Sequence, residues 1–257
     1  MEDLDTPRVV PGCAAEILRV LAGFALEWDG EVEYQSRRTE RYTAALAALE
    51  ERGLTFRCSC SRRELAGLEV SGYPGSCRHG PQRPGPTAVR FRIDERARVR
   101  FEDRIQGPCE FALRELGDFV IRRRDGVFSY QLAVVVDDCA QGVTHVVRGV
   151  DLLDCTPWQI VLAAALGADP PRYAHLPLVV EPDGRKLAKS RRSVPLDASQ
   201  ASGWLVRALR LLGLDPPVSL SGEPPRVCLA WALAHWQWAQ LAGRPTVPAD
   251  LGPHSGL

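Results

Sequence analysis

Between Thr144 and Gly167 the chain reads as a strand followed at once by a helix, and that order constrains the fold more than any other feature. The run Thr144 to Val150 has the apolar content of a buried strand. Thr156-Pro157 then supplies an N-cap residue and a proline at the first helical position, with a helix continuing through Leu166 to Gly167. Strand followed by helix is the grammar of a parallel α/β sheet, because the chain must cross over before it can rejoin the sheet in the same direction. A further strand at Leu176 to Val180, closed by the turn Pro182-Asp183-Gly184, extends the same pattern.

The flanking segments supply packing elements. MEDLDTPR reads as a strand end running into a loop, and Ala14, Ile17, Leu18, Leu21 and Phe24 then recur at helical spacing. A second helix starts near Ser36, carries Tyr42, Leu46 and Leu49 on one face, and stops at Gly53. Residues 87–106 alternate as strands do, through Val89, Phe91, Ile93, Val99 and Phe101. From Asp118 the pattern is strand, turn at Asp125-Gly126, then an apolar run Leu132 to Val136. Periodicity leaves open whether that run is a buried strand or the start of a buried helix. Two amphipathic helices, about 198–213 and 226–242, close the chain, and the tail after Pro245 is expected to be loosely ordered.

With 257 residues, 45% of them hydrophobic, the chain can bury the core of one large domain or of one domain with an insert. No apolar run approaches the roughly 20 residues that span a bilayer. The start, with Glu2, Asp3 and Asp5, lacks the basic and apolar regions of a leader, which points to the cytoplasm. The formal net charge is zero, so any nucleic-acid contact must come from local arginine clusters.

Residues 56–85 change character. Gly72, Pro74, Gly75 and Gly80 make the stretch turn-rich, and only Ser61-Arg-Arg-Glu64 has the capping-box spacing of a short helix. A segment so poor in apolar residues needs another source of order. Cys58-x-Cys60 followed by Cys77 suits a structural zinc ion, since thiolates prefer a borderline-soft cation. Chemistry alone nominates His79 as fourth ligand. The alternative is three buried thiols without metal.

Of the 32 basic residues only two are lysine, Lys186 and Lys189, and both lie in one short loop after the last strand. Ammonium and guanidinium are not interchangeable at a phosphate, so lysine confined to one loop suggests a mobile point charge with a task. The bland reading is a solvated basic loop from Arg185 through Arg192.

The segment Lys186-Leu-Ala-Lys189-Ser190 resembles the KMSKS loop of class I aminoacyl-tRNA synthetases. In that loop, ammonium groups neutralise charge developing on a triphosphate. FSYQLAVVVDD (128–138), THVVRGVDLL (144–153) and YAHLPLVVEPDGRKLAKS (173–190) resemble the catalytic domain of the glutamate-type enzymes. MEDLDTPR resembles that family's R-I-E-D-T-D segment, and WDGEVEYQSRRTERY (28–42) fits the same alignment; the likeness covers at least residues 1–197. It implies a doubly wound, Rossmann-like α/β fold with a zinc-bearing insert and C-terminal helices. The implied division is 1–55 and 118–197 for the nucleotide fold, 56–117 for the insert and 198–257 for the helical region.

Within the family the chain is most similar to the glutamyl-queuosine tRNA(Asp) synthetases, which end soon after the lysine loop. That resemblance implies ATP-dependent activation of glutamate, with Mg2+, and transfer to queuosine in the anticodon of tRNA(Asp) by a monomer. It assigns Tyr130 and Arg148 to the glutamate substrate, Glu2 to its ammonium group, Lys189 to ATP with help from Lys186, and Tyr73 as fourth zinc ligand beside Cys58, Cys60 and Cys77. Two rival readings are a truncated glutamyl-tRNA synthetase charging a 3′ end and a non-catalytic remnant that binds tRNA.

One departure stands out. The family carries an H-I-G-H-like motif after the first strand of the nucleotide fold, and this sequence has none. Residue 1 aligns just beyond that unit, which predicts a missing strand and helix, an exposed sheet edge, poor stability and little catalysis. The expectation is a start codon assigned inside the gene.

Overall fold

A computed structural model describes residues 1–66, 72–180 and 196–249. The lysine loop, with Lys186 and Lys189, lies outside the described residues. Among the described residues the chain is a mixed α/β structure with three sheets. After the anchored stretch Met1–Asp5 come α1 (Cys13–Gly23), α2 (Thr39–Glu51), β1 (Thr55–Cys58), α3 (Arg62–Ala66), β2 (Ala88–Phe91), β3 (Arg98–Asp103) and β4 (Gly107–Ala112). The chain continues through α4 (Leu113–Leu116), β5 (Phe119–Arg122), α5 (Tyr130–Gln141), β6 (His145–Gly149), α6 (Thr156–Ala165), β7 (Arg172–Leu176), β8 (Leu178–Val180), α7 (Ala201–Leu211), α8 (Pro225–His235) and β9 (Thr246–Pro248).

β1, β2 and β5 form an antiparallel sheet. The second sheet runs β4-β3-β7-β6, with β6 and β7 parallel and paired from His145↔Arg172 to Gly149↔Leu176. α6 supplies the crossover between those two strands, as the strand-helix order required. The open run Leu132 to Val136 resolves as helix: Ser129 caps α5 by accepting from Leu132 N, and Gly142, at φ 66°, ends it in the left-handed conformation. One face of α5 buries Leu132 and Val135 against Tyr42, Leu46 and Leu49 of α2 and Leu162 of α6, with Phe91, Phe119 and Ile121 of the first sheet completing the main core.

Three expectations need correction. Thr144–Val150 reads as a buried strand, yet among the described residues β6 pairs only with β7 at the border of its sheet, and Val147 is 57% exposed. The apolar run reflects sheet propensity, and burial depends on a second neighbour. Leu176–Val180 reads as one strand; Pro177, which cannot donate to a ladder, divides the stretch into β7 and β8. The tail after Pro245 is not loose at its start, because Thr246–Pro248 forms β9, parallel to Leu178–Val180. The C-terminal helices otherwise pack their own core of Leu205, Val206, Leu209 and Cys228 with Phe24.

Candidate functional site

The chemistry of the site starts where β6 ends and α5 begins. Arg148 projects from β6 and Tyr130 is the first residue of α5, so the two meet between strand and helix: Arg148 Nη1 donates to the Tyr130 hydroxyl at 3.3 Å. Three further guanidinium donors are engaged by the protein. Nε donates to His175 Nε2 at 3.2 Å, and Nη2 to Thr156 Oγ1 at 2.7 Å and to the Leu152 carbonyl at 3.4 Å. A guanidinium has five N–H groups, which leaves one on Nη1 beside the tyrosine hydroxyl. A group that accepts from both at once fits there, and a carboxylate does so with charge assistance.

Thr156 departs from its expected role. Cys155 takes the N-cap position and Thr156 the first turn of α6, fully buried, with its hydroxyl turned to Arg148 and to Leu152 O at 3.0 Å. Behind Arg148, His175 Nδ1 meets Asp103 Oδ2 at 2.6 Å, and both side chains are fully buried. Burial lowers the imidazole pKa, so the ring is neutral at physiological pH. Burial alone would raise the Asp103 carboxyl. Backbone N–H groups of Gln106, His175 and Ile105 together with the imidazole outweigh it and bring the pKa down. Neither residue stood out in the sequence; an aspartate at a hairpin turn and a histidine within a strand carry no motif.

Glu2, Tyr130 and Ser129 line a cavity of about 880 Å3 that extends toward Cys60 and Arg124. Glu2 is exposed, and its charge raises the pKa of Tyr130, after burial and against the opposing influence of Arg148. The start of the chain is held there by Asp3, which accepts from Ser36 N at 2.8 Å and Ser36 Oγ at 2.6 Å. The structure therefore brings together Glu2, Tyr130 and Arg148. Burial, then the neighbouring Asp137, pushes Asp138 up to about 6, while Arg148 opposes the shift. Asp137 itself is tied into a buried network, accepting from Tyr42 at 2.9 Å and Gln35 at 3.0 Å.

The cysteine segment forms a second constellation. The Sγ atoms of Cys58, Cys60 and Cys77 lie within 4.8 Å of one another, and no other His, Asp or Glu among the described residues joins them. His79 is exposed. The Tyr73 hydroxyl sits 3.4 Å from Cys58 Sγ and 3.7 Å from Cys60 Sγ, and Cys60 and Cys77 are 3.6 Å apart. A tetrahedral zinc with Zn–S near 2.3 Å and Zn–O near 2.0 Å requires ligand separations of roughly 3.5–3.8 Å, and these three separations lie close to that range. Burial would raise the Cys77 thiol, but Tyr73 and the backbone N–H groups of Ser59 and Gln82 outweigh it and bring it to about 6, which favours a thiolate ligand.

Backbone contact seats the tyrosine. At Gly117, φ is 71° and a Cβ would meet Tyr73 N at 2.2 Å; at Gly72, φ is 74° and a Cβ would meet the Leu116 carbonyl carbon at 2.7 Å. Only glycine fits where these two segments cross. Asp118, one residue on, is fully buried and grips Arg78 at 2.7 and 2.6 Å, docking the cysteine segment on the body.

Residues 1–218 match the family of class I tRNA synthetases (E and Q), catalytic domain, and the chain belongs to that family. Among curated proteins it is 49% identical over 254 residues to the Glutamyl-Q tRNA(Asp) synthetase of Pseudomonas paraeruginosa, covering 97% of this chain and 85% of the relative. It is 52% identical over 237 residues to the protein of the same name from Ectopseudomonas mendocina, covering 92% and 80%. Among solved structures, a glutamate tRNA ligase from Elizabethkingia meningosepticum in complex with its amino acid superposes with a TM-score of 0.75. Its sequence identity is 20%, which speaks for the fold alone, and the match covers 96% of this chain and 59% of that one.

Proposed function

We propose that the chain activates glutamate with ATP and Mg2+ and transfers it to queuosine in the anticodon of tRNA(Asp). The reading is supported by relatives near 50% identity that bear the name Glutamyl-Q tRNA(Asp) synthetase. The observation that carries it in this chain is the Arg148–Tyr130 pair, with one guanidinium N–H and one phenol O–H left for an acceptor. The side-chain carboxylate of glutamate takes both donors, and the exposed Glu2 carboxylate on the rim meets the substrate's ammonium group. Lys189, helped by Lys186, neutralises charge on the ATP phosphates as the adenylate forms. That assignment rests on the sequence motif.

A structural zinc ion held by Cys58, Cys60, Cys77 and Tyr73 orders residues 56–117 as an insert on the nucleotide fold, since the cysteine segment buries little apolar surface beyond Phe56, Cys58 and Cys77. Residues 1–55 and 118–197 complete that fold and 198–257 form a helical region. The protein works as a cytoplasmic monomer; among the described residues no helix is long and apolar enough to cross a membrane.

The test is an acid-gel assay with labelled glutamate and tRNA prepared with and without queuosine. Label on tRNA(Asp) that depends on queuosine and is lost on periodate treatment supports the proposal. Label on the 3′ end of another tRNA overturns it.

A further inference from the structure

We propose that Asp103 and His175 are positioning residues for Arg148: Asp103 fixes the imidazole as the Nδ1–H tautomer, so that its bare Nε2 accepts from Arg148 Nε and orients the guanidinium toward the substrate carboxylate. The inference rests on the glutamate reading given above and adds to it two residues that do not touch the substrate.

The proton assignment follows from the contacts. Asp103 Oδ2 lies 2.6 Å from His175 Nδ1, and an ionised carboxylate only accepts, so Nδ1 carries the proton. A neutral ring with Nδ1–H has an unprotonated Nε2, and Arg148 Nε, which only donates, lies 3.2 Å away. Thr156 completes the set: its oxygen accepts from Arg148 Nη2 at 2.7 Å, and its single O–H is shared between Leu152 O at 3.0 Å and the bare His175 Nε2 at 3.1 Å. Every donor then faces an acceptor, and the opposite tautomer would set an N–H against an N–H.

A purely structural role does not account for the imidazole. Asp103 already caps the turn after β3 by accepting from the backbone N–H groups of Ile105 at 3.0 Å, Gln106 at 2.9 Å and His175 at 3.1 Å. Those contacts need no side chain at position 175. An apolar residue there would avoid the cost of burying a ring with two polar nitrogens; what the histidine adds is an acceptor aimed at Arg148. The planar fork of arginine has its direction set by whichever acceptors hold its inner edge, and here His175 and Thr156 hold that edge while Nη1 and Tyr130 face outward.

Asp103→Asn is the informative variant because it is nearly isosteric. The asparagine oxygen still accepts from the backbone N–H groups, while its amide turns a donor toward Nδ1 and drives the proton to Nε2, where it opposes Arg148. The expected result is a glutamate KM, or a calorimetric glutamate Kd, weakened by about tenfold or more, with the KM for ATP within about twofold. Nitrogen-15 NMR of the histidine side chains in the unaltered protein should show His175 protonated at Nδ1 and bare at Nε2, with the reverse in Asp103→Asn. A bare Nδ1 in the unaltered protein overturns the proposal whether or not the variant folds, and so does unchanged glutamate affinity in a folded variant. If the unaltered protein shows the assigned tautomer but binds no glutamate, the glutamate reading alone fails, and a slowly exchanging Arg148 Nε–H still upholds the positioning of Arg148 by His175.

Discussion

Replacing Asp118 with asparagine tests whether the cysteine segment is docked on the body by a single buried ion pair. The Asp118 side chain has no solvent exposure and accepts two bonds from Arg78, at 2.7 and 2.6 Å, and one from Ile93 N at 3.0 Å. Asparagine keeps the volume and one acceptor oxygen but turns the other into a donor facing a guanidinium. Breaking a buried pair by neutralising one partner costs about 3–5 kcal/mol. Arg78 retains a second partner, Glu95 at 2.5 Å, and is 19% exposed, which places the expected loss at the lower end, about 3 kcal/mol. For a chain of this size that lowers the melting temperature by roughly 6–12 °C. Urea unfolding followed by tryptophan fluorescence is the assay, with Glu95→Gln as the exposed comparison, expected to cost less than about 1 kcal/mol. A midpoint for Asp118→Asn within about 1 kcal/mol of the unaltered protein, at equal m-value, would refute the reasoning.

Other outcomes follow from the same structure. Metal analysis should find one zinc per chain, lost in Cys77→Ser and weakened in Tyr73→Phe; if Tyr73→Phe keeps full affinity and His79→Ala loses it, the fourth ligand is His79. Asp138→Asn should stabilise the protein at pH 8, because the folded state penalises the charged carboxyl. With a pKa raised from 3.8 to about 6, the gain is at most about 3 kcal/mol. It is full above pH 6, shrinks as the unaltered side chain takes up its proton, and is gone below 3.8. A gain that grows on acidification would contradict the assignment. Gly117→Ala should disrupt the crossing at Tyr73 and lower zinc affinity, measured by competition with a chromophoric chelator; unchanged affinity would show that the two backbones tolerate separation.

Much of this was legible in the residues because local chemistry and tertiary context agree. The capping box at Ser61–Glu64 forms as read, with Ser61 N donating to Glu64 at 2.6 Å and Glu64 N to Ser61 Oγ at 3.2 Å. Gly53 ends its helix with positive φ, as read. The resemblance nominated Tyr130, Arg148 and Glu2, and the fold gathers them. What stayed hidden depends on neighbours distant in sequence. Val147 is apolar yet exposed because strand order, not composition, decides which strand lies at an edge. The strand at Thr246–Pro248 is too short and proline-flanked to announce itself without its partner. Asp103 and His175 are 72 positions apart, and no spacing rule links a hairpin aspartate to a strand histidine. The lysine loop remains an inference from sequence, since Lys186 and Lys189 fall outside the described residues.

The central claim is that Arg148, with Tyr130, receives the side-chain carboxylate of glutamate. Calorimetric titration of L-glutamate and L-glutamine into the unaltered protein and Arg148→Gln tests it most directly. The expected result is glutamate binding that exceeds glutamine binding and falls about a hundredfold in a folded Arg148→Gln variant, since a charge-assisted carboxylate contact is lost. Equal glutamate affinity in the two proteins would contradict it.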